Sequence, residues 1–182
     1  EVAVARGAAI THGFPFGFRY GPEMMAGGAA GGDIDGDGDI DLVVLRGAQT
    51  GPGAQLRPPT VLLNDGSAQF SDATVASGLS AAHLSPETQI QNGAYLFDLD
   101  GDADLDLLLG ALQAPPELWR NDGAGHFTRD LDTGLEEIGR DTWGASVASF
   151  WPLAEDELEL VMSHWTMDMS QVSGIRGHYM YL

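Results

Sequence analysis

Residues 33–41 of the chain read DIDGDGDID, and residues 98–106 read DLDGDADLD. In both stretches aspartate occupies positions 1, 3, 5, 7 and 9, and glycine or alanine occupies positions 4 and 6. Glycine lets the backbone curl, so alternate carboxylates can converge on one point. Ca²⁺ takes roughly six to eight hard oxygen ligands, whereas Mg²⁺ is usually held by one or two carboxylates. Five acids in nine residues therefore predict two calcium sites.

The two acidic stretches belong to a longer repeated pattern. Small residues precede each stretch, and a short apolar run follows it. A second element then recurs: PTVLLNDGSAQF at 59–70 corresponds to PELWRNDGAGHF at 116–127. Gly78-Leu79 and Gly134-Leu135 close the two units. Such recurrence indicates a repeat architecture.

The pattern predicts an all-β fold built from β-propeller-type blades of four antiparallel strands. The apolar runs have strand length, and Asn-Asp-Gly suits a tight hairpin turn because Asn and Gly tolerate positive φ. The sequence contains about three such units, at 1–70, 71–127 and 128–182, within one repeat region over 1–182. Propellers need about four to eight blades. We therefore expect a partial propeller, or a ring completed by residues outside this sequence or by other chains.

The ends of the sequence also follow the repeat. Val2 to Gly7 resembles Thr74 to Gly78, and the last residues, 179–182, resemble the strand before Asn64.

The insertion between the first acidic stretch and its hairpin, Gly47 to Pro58, is rich in Gly and Pro and predicts a surface loop.

The third unit departs from the acidic pattern. When it is aligned on Gly144, position 1 becomes Ser149, and the residues Phe-Trp-Pro-Leu at 150–153 replace the acidic turn. Glu159 reaches position 9 only after two extra residues. We expect no metal between Ser149 and Glu159.

Composition excludes several classes of partner and site. The net charge is −19, from 27 acidic and 8 basic residues, so the chain lacks the basic footprint that nucleic acid requires. No apolar run of membrane-spanning length occurs, so membrane insertion is not expected. Cysteine is absent, and the five histidines show no zinc spacing. Oxygen ligands are the ligand class that remains.

An EF-hand loop shares the Asp-x-Asp-x-Asp-Gly opening, but it requires a carboxylate at position 12 followed by a helix. Counting from Asp33 places Val44 at position 12, and counting from Asp98 places Leu109 there. A predicted strand follows in both cases, which excludes the EF-hand.

These features together resemble the FG-GAP or VCBS repeats of integrin α-subunit propellers and of bacterial secreted proteins, with relatives of the cartilage acidic protein type. The resemblance implies that positions 1, 3, 5 and 9 bind calcium through their side chains and position 7 through its backbone carbonyl. Carried onto this sequence, the implied ligands are Asp33, Asp35, Asp37, Asp39 and Asp41 in the first loop, and Asp98, Asp100, Asp102, Asp104 and Asp106 in the second.

The resemblance also implies a calcium-stabilised extracellular, cell-surface or periplasmic protein that acts as a binding or adhesion module for a protein or glycan partner. The loop Gly47 to Pro58 is the first candidate contact, and a homo-oligomer is a further possibility. No acid–base pair or nucleophile is recognisable, so we do not expect an enzyme. Two alternatives stay open: an accessory propeller of a secreted polysaccharide-acting enzyme, and a structural surface or filament protein.

The four tryptophans have two interpretations. An exposed group of them would form an aromatic platform for a sugar, whereas burial would place them between blades. We expect the blade-to-blade core, since large aromatics supply much of the burial in folds of short strands. The four are Trp119, Trp143, Trp151 and Trp165.

Overall fold

The computed structural model describes residues 2–10, 27–47, 57–80, 91–111 and 114–135, together with the backbone of 147–154, 157–164 and 176–181. Most of the inserted segment predicted as a surface loop, 48–56, lies outside the described residues. The described part is all-β apart from one helical turn, α1 (Val2–Ala5).

Eleven strands form three antiparallel sheets in the described part. The first sheet has the order β1 (Gly28–Gly32), β2 (Asp41–Leu45), β3 (Thr60–Asn64), β4 (Phe70–Asp72). The second has the order β5 (Gln91–Phe97), β6 (Asp106–Ala111), β7 (Glu117–Asn121), β8 (Phe127–Asp130). The third has the order β11 (Arg176–Tyr181), β10 (Glu157–His164), β9 (Val147–Ala154).

The first two sheets are four-stranded meanders of the blade type, as predicted, and we call them blade 1 and blade 2. The Asn-Asp-Gly elements form hairpins between β3 and β4 and between β7 and β8. Their glycines, Gly66 and Gly123, adopt φ of +77° and +75°, the left-handed region that glycine enters without steric cost. The strands after the acidic stretches, β2 and β6, confirm the exclusion of an EF-hand. The assignment of 1–182 to one repeat region in three units stays a prediction.

The first strands of the two blades lie next to each other. The amide of Gly27 donates to the carbonyl of Gln91 at 3.0 Å. A Cβ on Gly32 would come within 2.5 Å of the Leu105 side chain. The small residues of β1 therefore allow the close approach of the two blades that the propeller arrangement requires.

The main hydrophobic core lies between blades 1 and 2. Blade 1 contributes Val43, Leu45 and Val61, and blade 2 contributes Leu107, Leu109, Trp119 and Phe127, all at most 4% exposed. Burial of this kind contributes about 25 cal/mol per Å² of apolar surface. Trp119 is 1% exposed, which confirms its place in the blade-to-blade core; the other three tryptophan side chains lie outside the described residues.

The segments that precede blade 1 and blade 2 each contact the last strand of the blade that follows them. The amide of Phe127 in β8 donates to the carbonyl of Ser77 at 2.8 Å, and the amide of Phe70 in β4 donates to the carbonyl of Arg6 at 2.7 Å. Gly78 and Gly7 follow at φ of +82° and +77°, and a Cβ on Gly7 would collide with the Phe70 carbonyl oxygen. The resemblance of Val2–Gly7 to Thr74–Gly78 therefore holds in three dimensions.

In the described part of the third sheet, the position that aligns with the start of the acidic loops lies within a strand. Ser149, which aligns with the first acidic position, lies inside β9 and pairs with Val161 of β10. Strand β9 continues to Ala154, where blades 1 and 2 have already entered their acidic loops. In the described parts of the chain, no helix is both long and apolar enough to span a membrane.

Candidate metal centres

Each acidic stretch forms the connection between the first two strands of its blade. Residues 33–40 join β1 to β2, and residues 98–105 join β5 to β6. The hairpin of each blade lies at the same end of its sheet as the acidic connection, because β3 and β7 run back toward that end. We call the stretches 33–41 and 98–106 loop 1 and loop 2.

Hydrogen bonds from the backbone to side chains curl loop 1. The carboxylate of Asp33 accepts the amides of Gly36 at 2.9 Å and Gly38 at 3.0 Å. The carboxylate of Asp37 accepts the amide of Asp39 at 2.9 Å. As a result Asp33, Asp35 and Asp37 each bring a carboxylate oxygen within 4.8 Å of the others.

The middle carboxylate of this group has an unsatisfied oxygen. Asp35 Oδ1 is buried and has no hydrogen-bond partner. Burial, followed by the neighbouring Asp41 and Asp37, raises the pKa of Asp35. A buried acceptor without a donor is costly, and a hard divalent cation among the three carboxylates would remove that cost. The residues of loop 1 therefore fit Ca²⁺, which would neutralise their charge and cross-link the turn.

Asp41 has a structural role besides its predicted role as a ligand. It is fully buried, and its two oxygens accept the amides of Ile34 and Asn64, both at 2.8 Å. It thereby fixes loop 1 to the hairpin of blade 1. The Asp39 side chain lies against Gly66 of the same hairpin, where a Cβ would come within 2.5 Å of its Oδ2. Coordination by Asp41 and by the Asp39 carbonyl stays a prediction.

Loop 2 repeats this geometry. Asp98 accepts the amides of Gly101 at 2.8 Å and Ala103 at 3.1 Å, and Asp102 accepts that of Asp104 at 2.9 Å. One oxygen from each of Asp98, Asp100 and Asp102 lies within 4.8 Å of the others.

The last carboxylate of loop 2 also has its counterpart in loop 1. Asp106 accepts the amides of Leu99 at 3.3 Å and Asn121 at 3.0 Å. Its role as a ligand, and that of the Asp104 carbonyl, stay predictions, as they do for loop 1.

One basic side chain distinguishes the two loops. Arg120 Nη1 lies 3.0 Å from Asp106 Oδ2 and 3.4 Å from Asp100 Oδ2, and its Nε lies 3.2 Å from Asp130 Oδ2. Sequence reasoning missed this residue. The available signal was the aligned hairpin element, in which Leu63 takes the place of Arg120, but only the fold shows that this position faces the acidic loop.

The hairpin of blade 2 also adds negative charge beside loop 2. Desolvation first, and then Asp102 and Asp122, raise the pKa of Asp104. Asp122 itself has a lowered pKa because it accepts the amide of Ala124. Among the described residues, two groups of three side chains are close enough together to bind a metal ion, and each group lies in one of the two loops.

Comparison with known proteins agrees with this geometry. Residues 33–109 match the family model of the FG-GAP-like repeat, a range that begins at the first residue of loop 1 and ends within β6, after loop 2. Among curated proteins no significant match is found. Residues 33–109 therefore match an FG-GAP-like repeat, a class of repeat domain often involved in binding or adhesion.

Proposed function

We propose that this chain is a calcium-stabilised extracellular repeat module that binds a protein or glycan partner. The observation that carries the calcium assignment is the orphaned oxygen Asp35 Oδ1, inside a group of three converging carboxylates. FG-GAP-like repeats commonly bind calcium, and both acidic loops lie within the matched range.

The role of the ion follows from the contacts around loop 1. Its carboxylates repel one another, and burial raises the pKa of Asp35, so the curled loop is disfavoured while these groups are ionised and unneutralised. Asp41 connects the same loop to Asn64 and hence to β3. A bound calcium ion would therefore stabilise the end of blade 1 at which the loop and the hairpin lie, as well as the loop itself.

The proposed location rests on the same chemistry. Calcium modules that work outside cells can be weak, with a Kd on the order of 10⁻⁴ to 10⁻³ M, because external calcium is plentiful. FG-GAP-like repeats are usually extracellular. The proposal assigns binding rather than catalysis, and a periplasmic or cell-surface location satisfies it equally. Fractionation of the native source tests the location, and recovery of the full-length protein in the cytosol would contradict it.

Isothermal titration calorimetry of metal-stripped protein tests the calcium assignment. We expect about two calcium ions per chain and no comparable heat with magnesium. A stoichiometry of zero, or preference for zinc over calcium, would overturn it. Asp132→Asn is a matched control, since it removes an exposed carboxylate outside both loops and should leave the stoichiometry unchanged.

A further inference from the structure

We propose that Arg120 makes the two acidic loops unequal calcium sites, with loop 1 the tighter and loop 2 the weaker, because the guanidinium occupies part of the electrostatic role of the ion in loop 2. This inference rests on the proposed function, since it concerns how the two loops share the same ligand.

The loops themselves do not explain a difference. Their five aspartates occupy the same positions, and both curl through the same set of backbone hydrogen bonds. The difference comes from the strands beside them. In blade 1 the positions that correspond to Arg120 and Asp130 are occupied by Leu63 and Ala73, which pack against the hydrophobic core. Blade 2 thus replaces an apolar pair with an ion pair.

Arg120 is held in position rather than free in solvent. Its Nε contacts Asp130, and its side chain is 33% exposed. This anchor directs Nη1 to Asp106, whose side chain is 3% exposed, and to Asp100. Solvent screens the contact with the buried Asp106 only in part, whereas the contact with Asp100, whose side chain is 50% exposed, is screened more strongly.

The two loops differ in the surroundings of the carboxylate at the third loop position. In loop 1 the Asp35 Oδ1 oxygen has no partner, so a cation meets no competitor there. In loop 2 the corresponding Asp100 already contacts Arg120. A calcium ion in loop 2 has to displace that contact or accept a positive charge close by, which weakens binding by roughly twofold to fivefold on the scale of an exposed ion pair.

The same contacts predict the behaviour of the calcium-free protein. Arg120 compensates part of the negative charge of loop 2, whereas no basic side chain among the described residues forms an ion pair with loop 1. Calcium removal should therefore loosen loop 1 more than loop 2. Hydrogen exchange of the loop amides, such as those of Gly36 and Gly101, reports this separately for each blade.

Variants that exchange the two blades' residues test the inference. Asp37→Asn and Asp102→Asn each disable one site, while the amide keeps the acceptor for the backbone of residue 39 or 104. In the Asp37→Asn background, which reports loop 2, Arg120→Leu should tighten the calcium Kd by roughly twofold to fivefold. In the Asp102→Asn background, which reports loop 1, Leu63→Arg should weaken it.

Two controls keep the outcomes distinct. Arg57→Leu removes the same charge close to the opposite end of β3 from Asn64 and should leave both constants unchanged. Arg120→Met keeps the alkyl stem and serves if the leucine variant does not fold. If the parent protein binds no calcium, the proposed function fails. If both loops bind with equal Kd and the Arg120 variants change nothing, this inference alone is overturned.

Discussion

The side-chain amide of Asn121 donates to the backbone carbonyl of Ile34 at 2.8 Å, across the boundary between blade 2 and blade 1. The backbone amide of Asn121 donates to Asp106 of its own loop, and the amide of Ile34 donates to Asp41 of the other. One asparagine therefore connects the two acidic loops. Asn64, its counterpart in blade 1, instead donates to Ile40 of its own blade at 3.2 Å.

Replacement of Asn121 by alanine should destabilise the protein more than the same replacement at Asn64. Ile34 is 1% exposed, so its carbonyl would lose a donor that water cannot readily replace, at a cost of about 1–3 kcal/mol. The bond from Asn64 is exposed, and its loss should cost less than about 1 kcal/mol. Urea unfolding of both variants in saturating calcium measures the difference. Equal losses would show that the cross-blade bond contributes nothing beyond its counterpart.

The calcium-free protein should lose stability as the pH rises above the ordinary aspartate pKa of 3.8 and through the raised pKa values of two loop carboxyls. The pKa values of Asp35 and Asp104 lie above the ordinary 3.8 in the folded state, in both cases mainly through desolvation. The folded state thus binds protons more tightly than the unfolded state, so the free energy of unfolding falls as the pH rises through the raised pKa values. Asp65 and Asp122 have lowered pKa values, and their contribution is lost only below 3.8.

Calcium should reverse this trend, because the ligand carboxylates have to be deprotonated before they bind a metal. Thermal melts between about pH 4 and 7.5, with chelator and with excess calcium, compare the two cases. A calcium-free protein whose melting temperature rises over this range would contradict the prediction.

The sequence predicted the blades and the loops because both are encoded locally. The alternation of Asp33, Asp35 and Asp37 with small residues determines a curled turn, and the Asn-Asp-Gly elements determine the hairpins. Both can be recognised within about ten residues of sequence. The core position of Trp119 followed from residue type alone.

The contacts of Arg120 and Asn121 could not be predicted in the same way. Arg120 reaches loop 2 because β7 lies beside β6 in a particular register, Leu107 opposite Trp119. Asn121 reaches Ile34 over a sequence separation of 87 residues, and this depends on how two blades stack. Register and stacking are properties of the assembled sheets, which is why the two loops appeared equivalent in the sequence.

Exchange of the residue at the sixth loop position should change stability in opposite directions in the two blades. Gly38 and Ala103 both have positive φ, +92° and +77°, and a Cβ on Gly38 would meet no atom within 4 Å. Gly38→Ala should therefore add about 1–2 kcal/mol of backbone strain, partly offset by the about 0.5–1 kcal/mol that alanine saves in unfolded-state entropy, which leaves a small net loss of stability. Ala103→Gly should produce the reverse, a small net gain of stability, because the relieved strain exceeds the added unfolded-state entropy. Urea unfolding checks both, and a stabilising Gly38→Ala would refute the argument from φ.

Removal of calcium should lower the melting temperature, and the two loops should contribute separately. A ligand that binds the native state alone stabilises it by about 2.7 kcal/mol at 100 times its Kd, so chelation should produce a visible shift in a thermal melt. Asp37→Asn should remove the part of the shift that belongs to loop 1, and Asp102→Asn the part that belongs to loop 2, with Asp132→Asn as the control of equal charge change. If Arg120 weakens loop 2, Asp37→Asn removes the larger part, and the difference between the two variants grows with calcium toward a constant value set by the ratio of the two Kd values. A melting temperature that chelation does not change would mean that neither loop stabilises its blade through a bound ion.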